Sequence, residues 1–113
     1  MKLQCTAILR PPHHTVVTYS ADDRDEDLER LARHGDVEAF GVLVERYSSA
    51  VYYVIHARVG DPGETERLVI EVFCAAWRDL QRRPWRHRGF LGVLSHAVAI
   101  SFDRDEEVKG RNP

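Results

Sequence analysis

No run of about 20 apolar residues, the length a helix needs to cross membrane hydrocarbon, occurs anywhere in the chain. The longest uncharged stretch, Gly89 to Phe102, would rise only ~21 Å as a helix. The opening segment MKLQCTAILRPPHHTVV holds one Lys and a short apolar patch broken by Pro11 and Pro12, unlike a secretory leader. A cytoplasmic protein without a membrane partner is therefore expected. Cysteine is scarce as well. Cys5 and Cys74 make neither a disulfide framework nor a zinc spacing, and Cys5 with His13 and His14 lacks a fourth ligand, so no metal or other cofactor is expected. Charge of one sign is missing too: 16 basic side chains face 18 acidic ones, so the total does not mark a nucleic-acid binder. Strand alternation, internal repeats and low-complexity segments are absent.

What the chain does have is helical periodicity. In 113 residues, 43% of them apolar, there is material for one small core. Residues 1–21 show no helical period and are expected to form an extended or mobile arm. Asp22 and Asp23 are candidate caps for a short first helix carrying Leu28 and Leu31 and ending at Gly35. Asp36 caps a second helix, in which Val37, Phe40, Leu43, Val44, Tyr47, Val51, Val54 and Ile55 recur at three- and four-residue steps. Gly60 stops it, and Asp61-Pro62 starts a third helix as N-cap and first helical residue, running to about Arg82.

The third helix carries two apolar stripes. Val69, Val72, Phe73, Ala76 and Leu80 form one, and Ile70, Cys74 and Trp77 the other. Either it is a central helix between two neighbours, or its outer stripe meets another protein. After Pro84 a fourth helix is predicted with Phe90, Leu91, Leu94, Ala97, Val98 and Phe102 on its inner side. Gly92, Val93, Ser95, His96, Ala99 and Ser101 make its small, neutral other face. The fold class is an all-α bundle of about four helices.

No constellation supports catalysis, so an enzyme is not expected. Gly60-Asp61-Pro62-Gly63 lacks the Lys and the glycine spacing of a phosphate loop, and His56 and His96 stand alone in the sequence. One local charge signal remains. RDLQRRPWRHR, residues 78 to 88, sets five Arg and one Asp around Trp85, a composition suited to phosphates and to stacking on an unpaired base. The plain alternative is a solvated helix end whose cations complement the dipole.

GDVEAFGVLVERYSSAVYYVIHARVGD followed by TERLVIEVFCAAWRDL resembles region 2 of the extracytoplasmic-function bacterial sigma factors. The likeness rests on Gly35, Asp36, Ala39, Phe40, Arg46, Tyr47, Gly60, Asp61, Glu66, Leu68, Val69, Glu71, Val72, Phe73, Ala76 and Trp77 in matching order and spacing, and it extends from about residue 25 to 104. It implies a helical domain that binds the clamp of the RNA polymerase core through the third helix and helps open promoter DNA at the −10 element. On the resemblance, Glu66, Arg67, Ile70, Glu71 and Cys74 are the candidate polymerase or protein-partner residues. Arg82, Arg83, Trp85, Arg86, Arg88 and His96 are the candidate DNA-binding residues.

The chain departs from the family pattern at several of these places. Arg67 stands where Asp is usual and Ile70 where Gln is usual. Val93, His96 and Ala97 replace two Arg and an Asn, and Asp103-Arg104-Asp105-Glu106-Glu107 brings net negative charge where phosphate-binding Arg would be expected. The alternative reading is a sigma mimic, an interaction module that has lost promoter reading and binds an anti-sigma factor, another regulator or itself as a homo-oligomer. A second domain of the kind that reads the −35 element is not expected within these residues. The expected boundaries are an arm at 1–21, the sigma-like domain at 22–104 and an acidic to polar tail at 105–113.

Overall fold

The computed structural model describes residues 23–82 and 89–111, with side chains as far as residue 106. The arm at 1–21, the candidate cap Asp22, and Arg83, Trp85, Arg86 and Arg88 lie outside the described residues. Four helices follow in order: α1 (Asp25–Arg33), α2 (Val37–Val59), α3 (Pro62–Gln81) and α4 (Phe90–Arg111). No strand occurs among the described residues, and no helix there is long and apolar enough to cross a membrane.

Local chemistry sets most of the helix ends. Asp36 accepts a hydrogen bond from the Ala39 amide at 3.1 Å, and Asp61 accepts from the Glu64 amide at 2.9 Å with Pro62 at the first helical position. Each satisfies a donor that the first turn leaves without an intrahelical partner. Gly60 closes α2 at φ 77°, a left-handed conformation costly for residues with a side chain, and its amide donates to the His56 carbonyl. The first helix differs from expectation. Its N-cap is Arg24, which makes no capping bond, and Asp25, Glu26 and Asp27 in the first turn balance the helix dipole instead.

The core forms where all four helices meet. Phe40 of α2 is nearly enclosed, with Trp77 of α3 at 5.0 Å between ring centroids and Phe90 of α4 edge-on at 6.1 Å. Tyr47 adds a tilted contact to Phe90 at 5.5 Å. Leu28, Leu43, Ile55, Leu68, Val72, Phe73 and Leu80 fill the remainder. At the back, the Thr65 hydroxyl donates to the Asp61 carbonyl at 2.7 Å and so accepts from His56 Nδ1 at 3.0 Å. His56 thus joins α2 to α3 as a structural hydrogen-bonder. Gln81 Nε2 donates to the Ala32 carbonyl at 2.7 Å, supplying the end of α1 with a partner from α3.

The two stripes of α3 resolve into a central helix, with α2 on one side and α4 on the other. Cys74 is buried and Trp77 packs on Phe40, while Ile70 stays 44% exposed. Three inner positions predicted from periodicity turn outward: Val37, Val54 and Leu91, the last 62% exposed. Two residues assigned to the outer face of α4, Val93 and Ser101, are buried. The cause lies in Phe90, whose contacts with Phe40 and Tyr47 fix the rotation of α4 and bring Val93, Leu94, Ala97 and Ser101 inward. A stretch without charges gives no hydrophilic edge from which that rotation could be read. α4 also continues to Arg111, past the boundary expected at residue 104.

Candidate partner surface and nucleic-acid groove

Four of the five candidate partner residues lie in the N-terminal half of α3, and Cys74 lies just past its midpoint. Glu66, Arg67, Ile70 and Glu71 are exposed there, whereas Cys74 lies beneath the surface at 9% exposure and has little area to offer a partner. Arg67 does not project freely. Its guanidinium holds Glu64 at 2.6 Å and Glu71 at 2.9 Å on its own helix, and Asp105 of α4 at 3.3 Å. The hydrogen bond to Glu64 first, and then the charges of Glu71, Glu64 and Asp105, raise its pKa further against the opposing effect of burial. One cation serves three carboxylates, so the charge that departs from the family pattern is used inside the chain.

The candidate DNA residues that are described come together at the other end of α3. Arg82 and His96 line one groove of about 230 Å³ between α3 and α4. Arg78 and Arg104 line the same groove together with one carboxylate, Asp79, and its apolar surface includes Ala75, Val93, Ala97 and Ile100. Arg30, Arg33, Arg46, Arg58 and Arg67 each hold a carboxylate. Arg78, Arg82 and Arg104 hold none among the described residues. Three guanidiniums that hold no carboxylate among the described residues outnumber the one carboxylate, Asp79, on this groove, so it carries local positive charge in a chain of net charge −2.

Two of these residues were missed as site residues in the sequence. Arg78 carried a signal, since it stands four residues before Arg82 and so shares its helix face. Arg104 carried none, being enclosed in an acidic run. In space that run divides. Asp105 points to Arg67, and Glu106 to Arg58, which also lies over the Phe102 ring at 4.4 Å from its centroid. These two acids are thus engaged elsewhere while Arg104 faces the groove.

A further tie joins α1 to α2. Arg46 Nη1 contacts Asp25 Oδ1 at 2.7 Å, and the Tyr47 hydroxyl donates to Asp25 Oδ2. The Tyr47 hydrogen bond first, then Arg46, holds the Asp25 carboxyl below its usual range despite partial burial; the same bond raises the Tyr47 phenol. The Arg-Tyr pair noted in the sequence therefore anchors the first helix. Beside it, an open apolar groove of about 560 Å³ runs between α2 and α3, lined by Tyr52, Tyr53, His56 and Val69 among others, with Tyr53 76% exposed. Sequence periodicity gave no hint of it.

The ECF RNA polymerase sigma factor BldN of Streptomyces coelicolor is 33% identical over 94 residues, which is 80% of this chain and 36% of that protein. Two ECF RNA polymerase sigma factors SigK, from Mycobacterium sp. strains KMS and JLS, are 30% identical over 105 residues, 90% of this chain and 52% of each. The chain therefore carries an ECF sigma-factor-like domain. It spans about a third of the first of these relatives and about half of the others. No family model matches the chain, and no solved structure matches it.

Proposed function

We propose that the chain is a sigma-factor-like transcription protein that acts in transcription initiation or its regulation. In this reading the outer face of α3, with Glu66, Ile70 and Glu71, docks on the clamp of the RNA polymerase core. Arg78, Arg82, Arg104 and His96 take a single strand of −10 promoter DNA, extended by Arg83, Trp85, Arg86 and Arg88.

The observation that carries this reading is the convergence on one groove of three arginines that hold no carboxylate among the described residues, with Arg82 followed in the sequence by the Arg- and Trp-containing segment. Guanidiniums pair with phosphates, and an apolar floor suits the face of an unpaired base. The relatives support it, being RNA polymerase sigma factors by name. Their kinship also makes anti-sigma proteins natural partners of the α3 face.

The test is fluorescence anisotropy with a labelled −10-type single strand and its duplex, together with retention of the chain on immobilised core polymerase at low salt. Preference for the single strand and retention that weakens in Glu71→Lys are expected. Equal indifference to both DNA forms, with no retention on polymerase, would overturn the reading.

A further inference from the structure

The proposed partner face of α3 is already occupied by a cation, and that cation belongs to the chain. Arg67 lies between Glu64 and Glu71, one turn to either side on the same helix, and contacts both. All three side chains are more than 40% exposed, so a partner's basic group could reach either carboxylate. Asp105 is different. It is only 11% exposed and lies on α4, where it contacts the same guanidinium at 3.3 Å. It is thus in place to retain Arg67 when the α3 carboxylates are taken, while being too enclosed to serve as a broad partner contact itself.

We infer that Arg67 is an internal competitor for the basic groups of a partner, and that Asp105 is the position to which it withdraws when such a partner binds. Three observations lead there. The guanidinium is divided between two helices; its α3 carboxylates are open to solvent and its α4 carboxylate is not. Exposed ion pairs are individually weak, so exchanging one cation for another at Glu64 and Glu71 is a small step. A guanidinium also has five donors in a fixed fork, enough to keep Asp105 while releasing the others. Arg67 thereby sets selectivity: a partner must offer enough positive charge, suitably placed, to displace it. Asp105 is a positioning residue that acts through Arg67. This rests on the reading of the α3 face as a docking surface, but its chemistry can be tested apart from polymerase.

The experiment titrates the full chain with a hexalysine peptide and, separately, with RNA polymerase core, using wild type, Arg67→Ala, Asp105→Asn and the double variant. With either probe Arg67→Ala is expected to bind about tenfold tighter, since a like charge is removed from the contact. Asp105→Asn is expected to weaken binding in the wild-type background and to have no effect once Arg67 is absent, a coupling that general electrostatics would not give. All four proteins should show the same helical circular dichroism. If Arg67→Ala binds hexalysine no more tightly, or Asp105→Asn acts equally with and without Arg67, the inference is overturned. If the hexalysine pattern holds and polymerase binds none of the four, the competitor role stands and the polymerase reading fails. Should Arg67→Ala lose its fold, Arg67→Gln, which keeps the length without the charge, carries the same expectations.

Discussion

The two ends of α3 hold arginines in opposite states. Near its start Arg67 is shared among three carboxylates, and Arg58 on the neighbouring α2 is tied to Glu106 and Phe102. Near its end Arg78 and Arg82 join Arg104 around a groove and hold no carboxylate among the described residues. The residue type is the same, but the availability of its charge differs. An arginine satisfied within the fold contributes to tertiary order and little to capture of an anion, whereas an uncommitted one attracts phosphate with nothing to release first. The sum of charges, 16 against 18, hides this division completely.

The comparison depends on both ends being held by one core, and breaking that core should give the largest effect. Phe73→Ala is expected to destabilise the chain by about 3–5 kcal/mol, because a fully enclosed ring is removed between the helices. Chemical denaturation measures it, and polymerase retention and strand binding should fall together. Next comes the groove. Replacing Arg78, Arg82 and Arg104 together by Ala should remove most single-strand affinity in moderate salt while leaving the melting temperature nearly unchanged, as anisotropy and thermal scans would show.

A smaller effect is expected where charge serves only structure. Asp25 ionises more readily in the folded chain than in the unfolded one, so its contribution is present above the ordinary carboxylate range and is lost as pH falls through its lowered value. Tyr47, whose phenol is raised, keeps its contribution at neutral pH and loses it as pH rises through that raised value. Tyr47→Phe should therefore melt below wild type at neutral pH, with the difference shrinking below about pH 4 and again above about pH 10. Smallest of all, Arg67→Ala should change folding stability by no more than about 1 kcal/mol, since the guanidinium and its two α3 carboxylates are exposed and only Asp105 is enclosed.

The sequence disclosed the bundle better than the groove, and particular residues show why. Asp36, Gly60 and Asp61-Pro62 act within a few residues of themselves, so their capping roles were legible from local order. Phe40, Phe73 and Leu94 were placed inward by period alone and are buried. The rotation of α4 was not legible, because Gly89 to Phe102 carries no charge and the contact that fixes Phe90 comes from residues 40 and 47, distant in sequence.

Charge was still less legible. Asp105 and Glu106 directly follow Arg104 in the chain, one after the other, yet each pairs with an arginine far away in sequence. Reading the run as a uniformly acidic segment averaged over side chains that a helix points in different directions. His96 and Arg82 were candidates before the fold was known, and their joint position on the groove depends on the packing of α3 against α4.

The most direct measurement is the salt dependence of single-strand binding in wild type, Arg67→Ala and the triple groove variant. If three groove arginines neutralise three phosphates, the slope of log K against log salt should be shallower by about 2 in the triple variant than in wild type. Arg67→Ala should retain the wild-type slope. Loss of slope in Arg67→Ala, or an unchanged slope in the triple variant, would contradict the division between committed and available arginines.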